Sequence, residues 1–187
     1  GYPSGADLSN TQFAAMGLRA AARAGVEVPQ EAWCALAARV LDYRRPDGGF
    51  GYHAWRDGAG REARGSMTTA GVGVLAICRE RLTAADARYG APCYRPLAER
   101  VEQAIAGGLE WMAQRFTVTE NPGRGADRVA YYLYGLERMG ALVPTRLVGE
   151  HDWYREGAQV LVRTQHEQGH WQPLFKRGGV QETSYAV

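Results

Sequence analysis

Residues 70–78 read AGVGVLAIC, and this run decides the fold. It carries no charged side chain, so a helix formed by it would be apolar on every side and would have to be covered all round. A short apolar run of this kind can also be a buried strand. We favour a helix because the run lies inside a segment of about fifteen residues or more whose flanks are also helix-forming.

Two other segments have the same character. Residues 129–136 read VAYYLYGL, and residues 13–18 read FAAMGL. Both are apolar all round, and their small residues would let neighbouring helices approach closely. The sequence therefore predicts three helices that are enclosed by the rest of the chain.

Amphipathic segments alternate with these runs. Residues 30–45 carry apolar side chains at the helical spacing i, i+3, i+4, i+7 and i+8, namely Trp33, Leu36, Ala37, Val40 and Leu41. Residues 96–116 and 151–166 carry similar stripes. A single stripe is typical of a helix that packs on a core with one face and meets water with the other. The alternation predicts an all-α fold of helical hairpins in two layers, one enclosed and the other outside it.

The alternation is also an internal repeat. Each of two amphipathic segments runs into a glycine-aromatic turn, DGGFGY at residues 47–52 and QGHW at residues 168–171. The period of about 55–60 residues fits one long helical hairpin. We predict a single repeat domain over residues 1–187, with repeats at about 7–60, 66–120 and 125–175 and the start of a fourth at 182. Both ends look cut, so we expect a piece of a longer protein.

These turns resemble a known superfamily. The stretches 47–51 and 165–171 are similar to the glycine-aromatic repeats of terpenoid cyclases and protein prenyltransferase β subunits. The helix openings at 10–14 and 182–186 are similar to inner-helix starts in bacterial repeat proteins of the prenyltransferase or squalene-cyclase type. The resemblance covers nearly the whole chain. It implies an α/α toroid with inner helices around a central cavity and outer helices behind them, of which three hairpins would form a partial barrel.

The catalytic residues of those enzymes do not carry over. The cyclases of this type protonate an alkene with an Asp-x-Asp-Asp cluster, whereas Asp47, Asp86 and Asp127 have no acidic neighbour. The prenyltransferases bind zinc through an Asp, a Cys two residues later and a distant His, but Val129 stands where that Cys would be. We therefore predict no catalytic residue and no cofactor. The expected function is a non-catalytic module of a larger bacterial protein that binds an apolar small molecule or a protein partner. The alternative is a cyclase-type or prenyltransferase-type enzyme whose catalytic residues lie elsewhere in the parent protein.

A His-Glu-x-x-His pattern offers a third hypothesis, a zinc hydrolase. His166 and His170 would bind zinc from one helix face, and Glu167 would polarise a water molecule. Glu182 could supply a third ligand. Pro173 argues against this hypothesis because it should end or kink the helix that holds both ligands. The repeat also explains the same stretch as a hairpin turn.

Tyrosines are the candidates for lining a cavity. A buried tyrosine needs a partner for its hydroxyl group or a wet cavity beside it. The candidate ligand-binding residues are Tyr131, Tyr132, Tyr134 and Tyr185. Threonines near the starts of the enclosed helices are interpreted as helix caps, namely Thr11, Thr68 and Thr183.

Charge and cysteine content narrow the possible partners. The net charge is +2, with 22 basic against 20 acidic residues, so no strong field favours nucleic acid or a membrane surface. No apolar run is long enough to cross a bilayer. The three cysteines, Cys34, Cys78 and Cys93, are too few for a disulfide scaffold, which favours a cytoplasmic location. A partial toroid would leave apolar helices open to water, so we also expect self-association or docking to the rest of the parent protein.

Overall fold

The computed structural model describes residues 6–54, 62–89, 92–171 and 180–186. Within these residues the chain forms seven α-helices and no strand, which confirms the all-α prediction. The helices are α1 (Leu8–Arg23), α2 (Gln30–Leu41), α3 (Gly65–Tyr89), α4 (Arg95–Gln114), α5 (Val129–Leu142), α6 (Trp153–Thr164) and α7 (Val180–Ala186). Parts of the predicted repeats, residues 55–60, 90–91 and 172–175, lie outside the described residues. None of the described helices has the length and apolar character that crossing a membrane requires.

The helices pack in two layers. α3 contacts both α1 and α5, and α5 contacts α7, so the odd-numbered helices lie side by side. α2 and α4 pack on α3 and on each other, and α6 packs on α5. The odd-numbered helices therefore form one layer and the even-numbered helices form the other, in the order that the sequence predicts.

The first part of α3 is enclosed, as its sequence predicts. Residues 65–78 are all buried, because α1, α2, α4 and α5 surround them. Glycines set the closeness of this packing. A Cβ atom at Gly71 would lie 2.4 Å from the ring of Phe50, and one at Gly135 of α5 would lie 2.4 Å from Thr69 Oγ1. The close packing of the Phe50 ring and of α5 on α3 thus depends on glycine at positions 71 and 135.

α1 is less enclosed than predicted. Its buried residues form one stripe, Leu8, Gln12 and Ala15. Phe13 is 40% exposed, and a Cβ atom at Gly17 would meet no other atom within 4 Å. The prediction that residues 13–18 are covered on all sides was wrong, because α1 packs chiefly on α3.

The outer helices follow their predicted stripes. In α2 the buried residues are Trp33, Cys34, Ala37, Val40 and Leu41. In α4 they are Val101, Ala104, Ile105, Gly108, Trp111 and Met112. α6 is covered less completely, since only Trp153 and Gly157 are buried. The outer layer is therefore densest around α3 and thinner at α6.

One disulfide crosses the outer layer. Cys34 of α2 and Cys93, which precedes α4, are bonded with their Cα atoms 6.1 Å apart. The two cysteines are 59 residues apart in sequence, so only the packing of α2 beside α4 brings them together. Cys78 is free and buried. The cysteine count argued against a disulfide scaffold, and this single bond was not predicted.

Three turns between the layers share one hydrogen-bond frame. In the first turn (residues 45–50), the Arg45 amide donates to the Gly49 carbonyl and the Gly48 amide donates to the Arg45 carbonyl. In the middle turn (residues 121–125), the Asn121 amide donates to the Gly125 carbonyl and the Arg124 amide donates to the Asn121 carbonyl. In the last turn (residues 166–171), the His166 amide donates to the His170 carbonyl and the Gly169 amide donates to the His166 carbonyl. The first and last turns were predicted from the sequence, whereas the middle turn was not.

The first and last turns are also anchored alike. The Phe50 amide donates to Thr68 Oγ1 of α3 at 3.0 Å, and the Trp171 amide donates to Thr183 Oγ1 of α7 at 3.3 Å. Each of these threonines is the fourth residue of its helix. A threonine near the helix start therefore fixes the aromatic residue of the turn before it.

Candidate functional site

Aromatic side chains from three odd-numbered helices meet on one side of the inner layer. Tyr131 and Tyr134 lie three residues apart on α5 and so share a face. Their ring centroids are 5.1 and 5.5 Å from that of Tyr185 on α7. Phe13 of α1 stacks on Tyr134 with a centroid distance of 6.4 Å. The structure thus brings together three of the four predicted tyrosines.

The Tyr131 hydroxyl group links α1 to α5. It is hydrogen-bonded to Ser9 Oγ at 2.8 Å and accepts a hydrogen bond from the Gln12 side chain. Burial of the side chain raises the pKa of Tyr131 from 10.0 to about 12. The phenol is therefore neutral at physiological pH. Its contribution to stability is complete below pH 10 and is lost as the pH rises toward about 12, because the folded state disfavours the phenolate.

Tyr132 faces away from the other three tyrosines. Its side chain is fully buried, and its hydroxyl group donates to the Thr117 carbonyl at 2.9 Å. Burial raises the pKa of Tyr132 as well. A Cβ atom at Gly65 would lie 3.0 Å from its ring, so Tyr132 packs against the start of α3. It serves the core and does not reach the face that Tyr131 shares with Tyr185.

A cavity of about 270 Å³ lies beside Tyr131, where the amino-terminal ends of α1, α3 and α5 meet. We call it the basic pocket, because its lining contains arginines and no acidic residue among those described. The lining residues are Ser9, Tyr52, Arg64, Ser66, Met67, Asn121, Arg124, Arg128, Tyr131 and Tyr185. A largely apolar or aromatic cavity was expected from the sequence, and these arginines were not singled out.

The middle turn brings the arginines together. The Gly65 amide donates to the Pro122 carbonyl at 2.8 Å, and the Ser66 amide donates to Asn121 Oδ1 at 3.0 Å. A Cβ atom at Gly123 would lie only 2.6 Å from the Ala63 carbonyl oxygen. The turn therefore lies directly against the start of α3, and this contact places residues 124 and 128 beside residue 64.

The charges in the basic pocket repel one another. Burial lowers the pKa of Arg64, and the neighbouring guanidinium of Arg124 lowers it further. The Arg64 guanidinium lies 5.8 Å from the centroid of the Tyr52 ring, a distance suited to a cation–π contact. Arg124 is paired with Asp127 at 2.6 Å. Burial raises the pKa of Tyr52, and the nearby Asp7 carboxylate raises it further.

Arg128 has an unusual backbone conformation. Its φ angle is 58°, which lies in the left-handed region that non-glycine residues seldom adopt. It stands at the N-cap position of α5 and makes no side-chain capping bond. The amino-terminal end of a helix carries a partial positive charge, so a cation there is unfavourably placed. Arg128 therefore adds to the positive potential of the pocket.

A second cavity of about 520 Å³ lies on the other side of Tyr185, between α5, α6 and α7. We call it the apolar groove, because its walls are mainly aliphatic and aromatic. The apolar side chains are Leu133, Tyr134, Leu136, Trp153, Tyr154, Ala158, Leu161, Tyr185 and Ala186. Trp153 is held in place by its indole N–H, which donates to the Thr145 carbonyl at 2.8 Å, and by Gly140, where a Cβ atom would clash with the indole.

The two histidines of the zinc hypothesis do not lie on a helix. α6 ends at Thr164, and His166 and His170 stack in the last turn with ring centroids 4.5 Å apart. The chain reverses because Gly169 adopts a φ angle of 82°. The stretch forms the hairpin turn that the repeat predicts, and not the helix that the zinc hypothesis requires. Among the described residues there is no group of three or more His, Cys, Asp or Glu side chains placed to hold a metal ion. The side chain of Glu182 lies outside the described part of the structure.

Comparison with known proteins identifies no relative. No protein-family model, no curated protein and no solved structure matches this chain. A function can therefore be inferred only from the structure itself.

Proposed function

We propose that this chain is a non-catalytic helical-repeat module that binds an apolar small molecule in the apolar groove. The observation that carries the proposal is the groove of about 520 Å³ itself, formed by one inner-layer helix pair and the outer helix behind it. Its volume falls in the range of about 300–1,000 Å³ that is typical of small-molecule sites. We further propose the α/α toroid architecture of terpenoid cyclases and prenyltransferase β subunits, supported by the layer order and the repeated turns.

The chemistry of the groove suits a neutral, partly aromatic ligand. Tyr134 and Tyr185, whose ring centroids lie 5.5 Å apart, offer aromatic surfaces to the groove, and Trp153 adds a third ring to the lining. Burial of apolar ligand surface against such walls stabilises a complex by about 25 cal/mol per Å². The polar groups at the rim, Glu137 and Arg138, are paired with each other at 3.3 Å. The groove therefore favours a ligand that carries little charge.

Filling the groove tests the proposal. The neutral fluorescent probe N-phenyl-1-naphthylamine should bind the wild-type chain, with emission that rises and saturates. Gly157 lines the groove, and a Cβ atom there meets no atom within 4 Å, so Gly157→Leu should occupy the space without disturbing the fold. We expect this variant to lose about tenfold in affinity, which corresponds to about 1.4 kcal/mol.

Gly17→Leu is the matched control. Gly17 is also a helical glycine at which an added Cβ atom would meet nothing within 4 Å, but it lies on α1, away from the groove. This variant should bind the probe as the wild type does. Equal affinities for the wild type and Gly157→Leu would contradict the groove as the binding site.

Exposed apolar side chains on α6 favour a second candidate, a protein partner. Tyr154 is 65% exposed and Val162 is 76% exposed, so two large apolar groups face water on this outer helix. If α6 is an interface, the chain should self-associate or bind a partner through it. Light scattering of the wild type and of Val162→Lys should then give a larger mass for the wild type; two monomeric proteins would argue against self-association through α6.

A further inference from the structure

We propose that the basic pocket binds a small molecule through a carboxylate or phosphate group, with Arg64 and Arg128 as the side chains that hold the anion. This site lies on the other side of Tyr185 from the apolar groove and does not depend on the groove having a ligand. The guanidinium group is suited to this role because its planar N–H groups match the oxygens of both anions in pairs.

The first argument is uncompensated charge. Of the three arginines, Arg124 is paired with Asp127, whereas neither Arg64 nor Arg128 has an ion-pair partner within the described residues. Glu62 and Asp127 offset the repulsion at Arg64 only in part, because burial and Arg124 outweigh them and the pKa of Arg64 is still lowered. Asp7 accepts hydrogen bonds from the backbone and side chain of Asn10 and interacts with Tyr52, and Glu62 is exposed.

The second argument is the arrangement of the backbone around Arg128. The residue sits at the N-cap position of α5 with no side-chain cap, and its φ angle of 58° is a conformation that favours glycine or asparagine. A cation at this end of a helix faces the positive end of the helix dipole. An anion bound here would interact favourably with both the guanidinium and the helix end, which otherwise repel each other.

The third argument is size. The cavity of about 270 Å³ corresponds to roughly nine water molecules at about 30 Å³ each. It therefore holds a ligand on the order of ten non-hydrogen atoms. The rings of Tyr131 and Tyr185 would contact the part of the ligand that carries no charge. The cavity would not enclose a long hydrocarbon chain, which favours a small organic acid or a small phosphate ester as the ligand.

Two simple anions serve as probes. Inorganic phosphate and succinate are each titrated into the full chain by isothermal calorimetry, with sodium chloride adjusted so that ionic strength stays constant. We expect saturable binding of at least one probe and a rise in the melting temperature with its concentration. Binding of phosphate alone or of succinate alone would identify which anion the site prefers.

Two charge-removing variants locate the site. Arg128→Asn keeps a residue that tolerates the left-handed backbone, and it adds a side chain that can cap α5, so we expect a folded protein of equal or higher stability. Arg64→Gln removes the second guanidinium group. Each variant should weaken probe binding by about tenfold or more, because each removes a charge-assisted hydrogen bond. Arg146→Gln is the control, since its side chain is 87% exposed and lies outside the pocket.

Several results would overturn the proposal. They are the absence of binding by either probe, equal affinities for the wild type and Arg128→Asn, and stabilisation that sodium chloride reproduces at the same ionic strength. Binding of the neutral naphthylamine probe to Arg128→Asn would show at the same time that the groove is intact. Failure of the anion site can thus be told apart from failure of the proposed function.

Discussion

The first turn and the last turn have the same backbone hydrogen bonds but different surroundings. Phe50 in the first turn is fully buried, and its ring fills the space left by Gly71 of α3 and approaches Gly108 of α4. Trp171 in the last turn is 7% exposed, and its indole N–H donates to the Leu161 carbonyl of α6 at 2.9 Å. The turn geometry is therefore local, whereas the stability that an aromatic residue contributes depends on how many helices enclose it.

Further contacts strengthen the first turn. The Asp47 carboxylate accepts hydrogen bonds from the Gly49 amide at 3.2 Å and from the Trp111 indole at 2.8 Å. A Cβ atom at Gly48 would lie 2.8 Å from the Gly107 carbonyl oxygen, so the turn touches the backbone of α4 directly. In the last turn, the Gln165 side chain donates to the Gly169 carbonyl at 3.0 Å, a bond within the turn itself. The first turn contacts α3 and α4 through several residues, whereas among the described residues the hydrogen bonds from the last turn to α6 and α7 come from Trp171 alone.

Removal of the aromatic side chain should reveal the largest difference in stability between the first turn and the last turn. Phe50→Ala should lower the free energy of unfolding by about 4 kcal/mol, because it leaves a cavity in the enclosed core. Trp171→Ala should cost about 2 kcal/mol, since fewer helices surround it and the space can fill with water. Urea denaturation of both variants measures this difference. Equal losses would mean that the two turns are equally important for the core.

Breaking the disulfide should have the next largest effect. The bond between Cys34 and Cys93 closes a loop of about sixty residues that contains the first turn, so its loss should cost about 3 kcal/mol. Hydrogen exchange should rise in α2 and α4 more than in α6 when the protein is reduced. The double variant Cys34→Ser with Cys93→Ser is the control, and its exchange should not respond to reductant. A uniform rise across all helices in the wild type would contradict a local effect.

The glycine beneath Phe50 provides a test of tight packing. Gly71→Ala should destabilise the protein by about 2 kcal/mol, because the new Cβ atom would lie 2.4 Å from the Phe50 ring in a site with no free space. Gly17→Ala in α1 makes the same chemical change where no atom lies within 4 Å, and it should stabilise the protein by about 0.5 kcal/mol. Melting temperatures of the two variants should move in opposite directions. A stabilising Gly71→Ala would show that the ring can shift freely.

The two threonines that bind the turns should differ less in their contributions to the free energy of unfolding. Thr68→Val removes the acceptor for the Phe50 amide and leaves a buried donor unpaired, at a cost of about 1–2 kcal/mol. Thr183→Val removes the acceptor for the Trp171 amide in a partly exposed place that water can reach, and we expect about 0.5 kcal/mol. Denaturant midpoints at constant m-value report both changes. A larger loss for Thr183→Val would reverse the ranking of the two turns.

The histidines of the last turn should contribute least to the stability of the protein. His166→Ala should change stability by no more than about 0.5 kcal/mol, because the side chain is exposed and the turn is held mainly by backbone bonds. Added zinc should shift the melting temperature of the wild type and of this variant equally. A shift in the wild type alone would revive a metal site at His166 and His170.

Much of the fold was predictable because burial follows helical periodicity. The large apolar side chains of α2 and α4 lie along one face of each helix, so they are buried only when that face packs on the core. The run in α3 has no polar face at all. The burial of α1 was predicted wrongly, and the reason is physical. Residues 13–18 contain small side chains such as Ala14 and Gly17, which are compatible with both a tight interface and an exposed surface.

The site was less predictable, because it depends on contacts between distant segments. Tyr131 and Tyr132 are adjacent in one apolar run, and the sequence does not reveal which of them faces α1. Arg64, Arg124 and Arg128 come from loops about sixty residues apart, and only the docking of the middle turn on α3 unites them. The one available signal is the basic, glycine-rich stretch GRGADR at residues 123–128, which was not interpreted as a site.

The middle turn also affects where the chain can be divided. Asn121 caps the start of α3 through the Ser66 amide. A truncated protein that ends near residue 120, the end of the second predicted repeat, would therefore leave that helix start without its partner, although α1 to α4 would all be present. The smallest autonomous unit should extend past residue 125, and α3 and α5 should unfold together instead of separately.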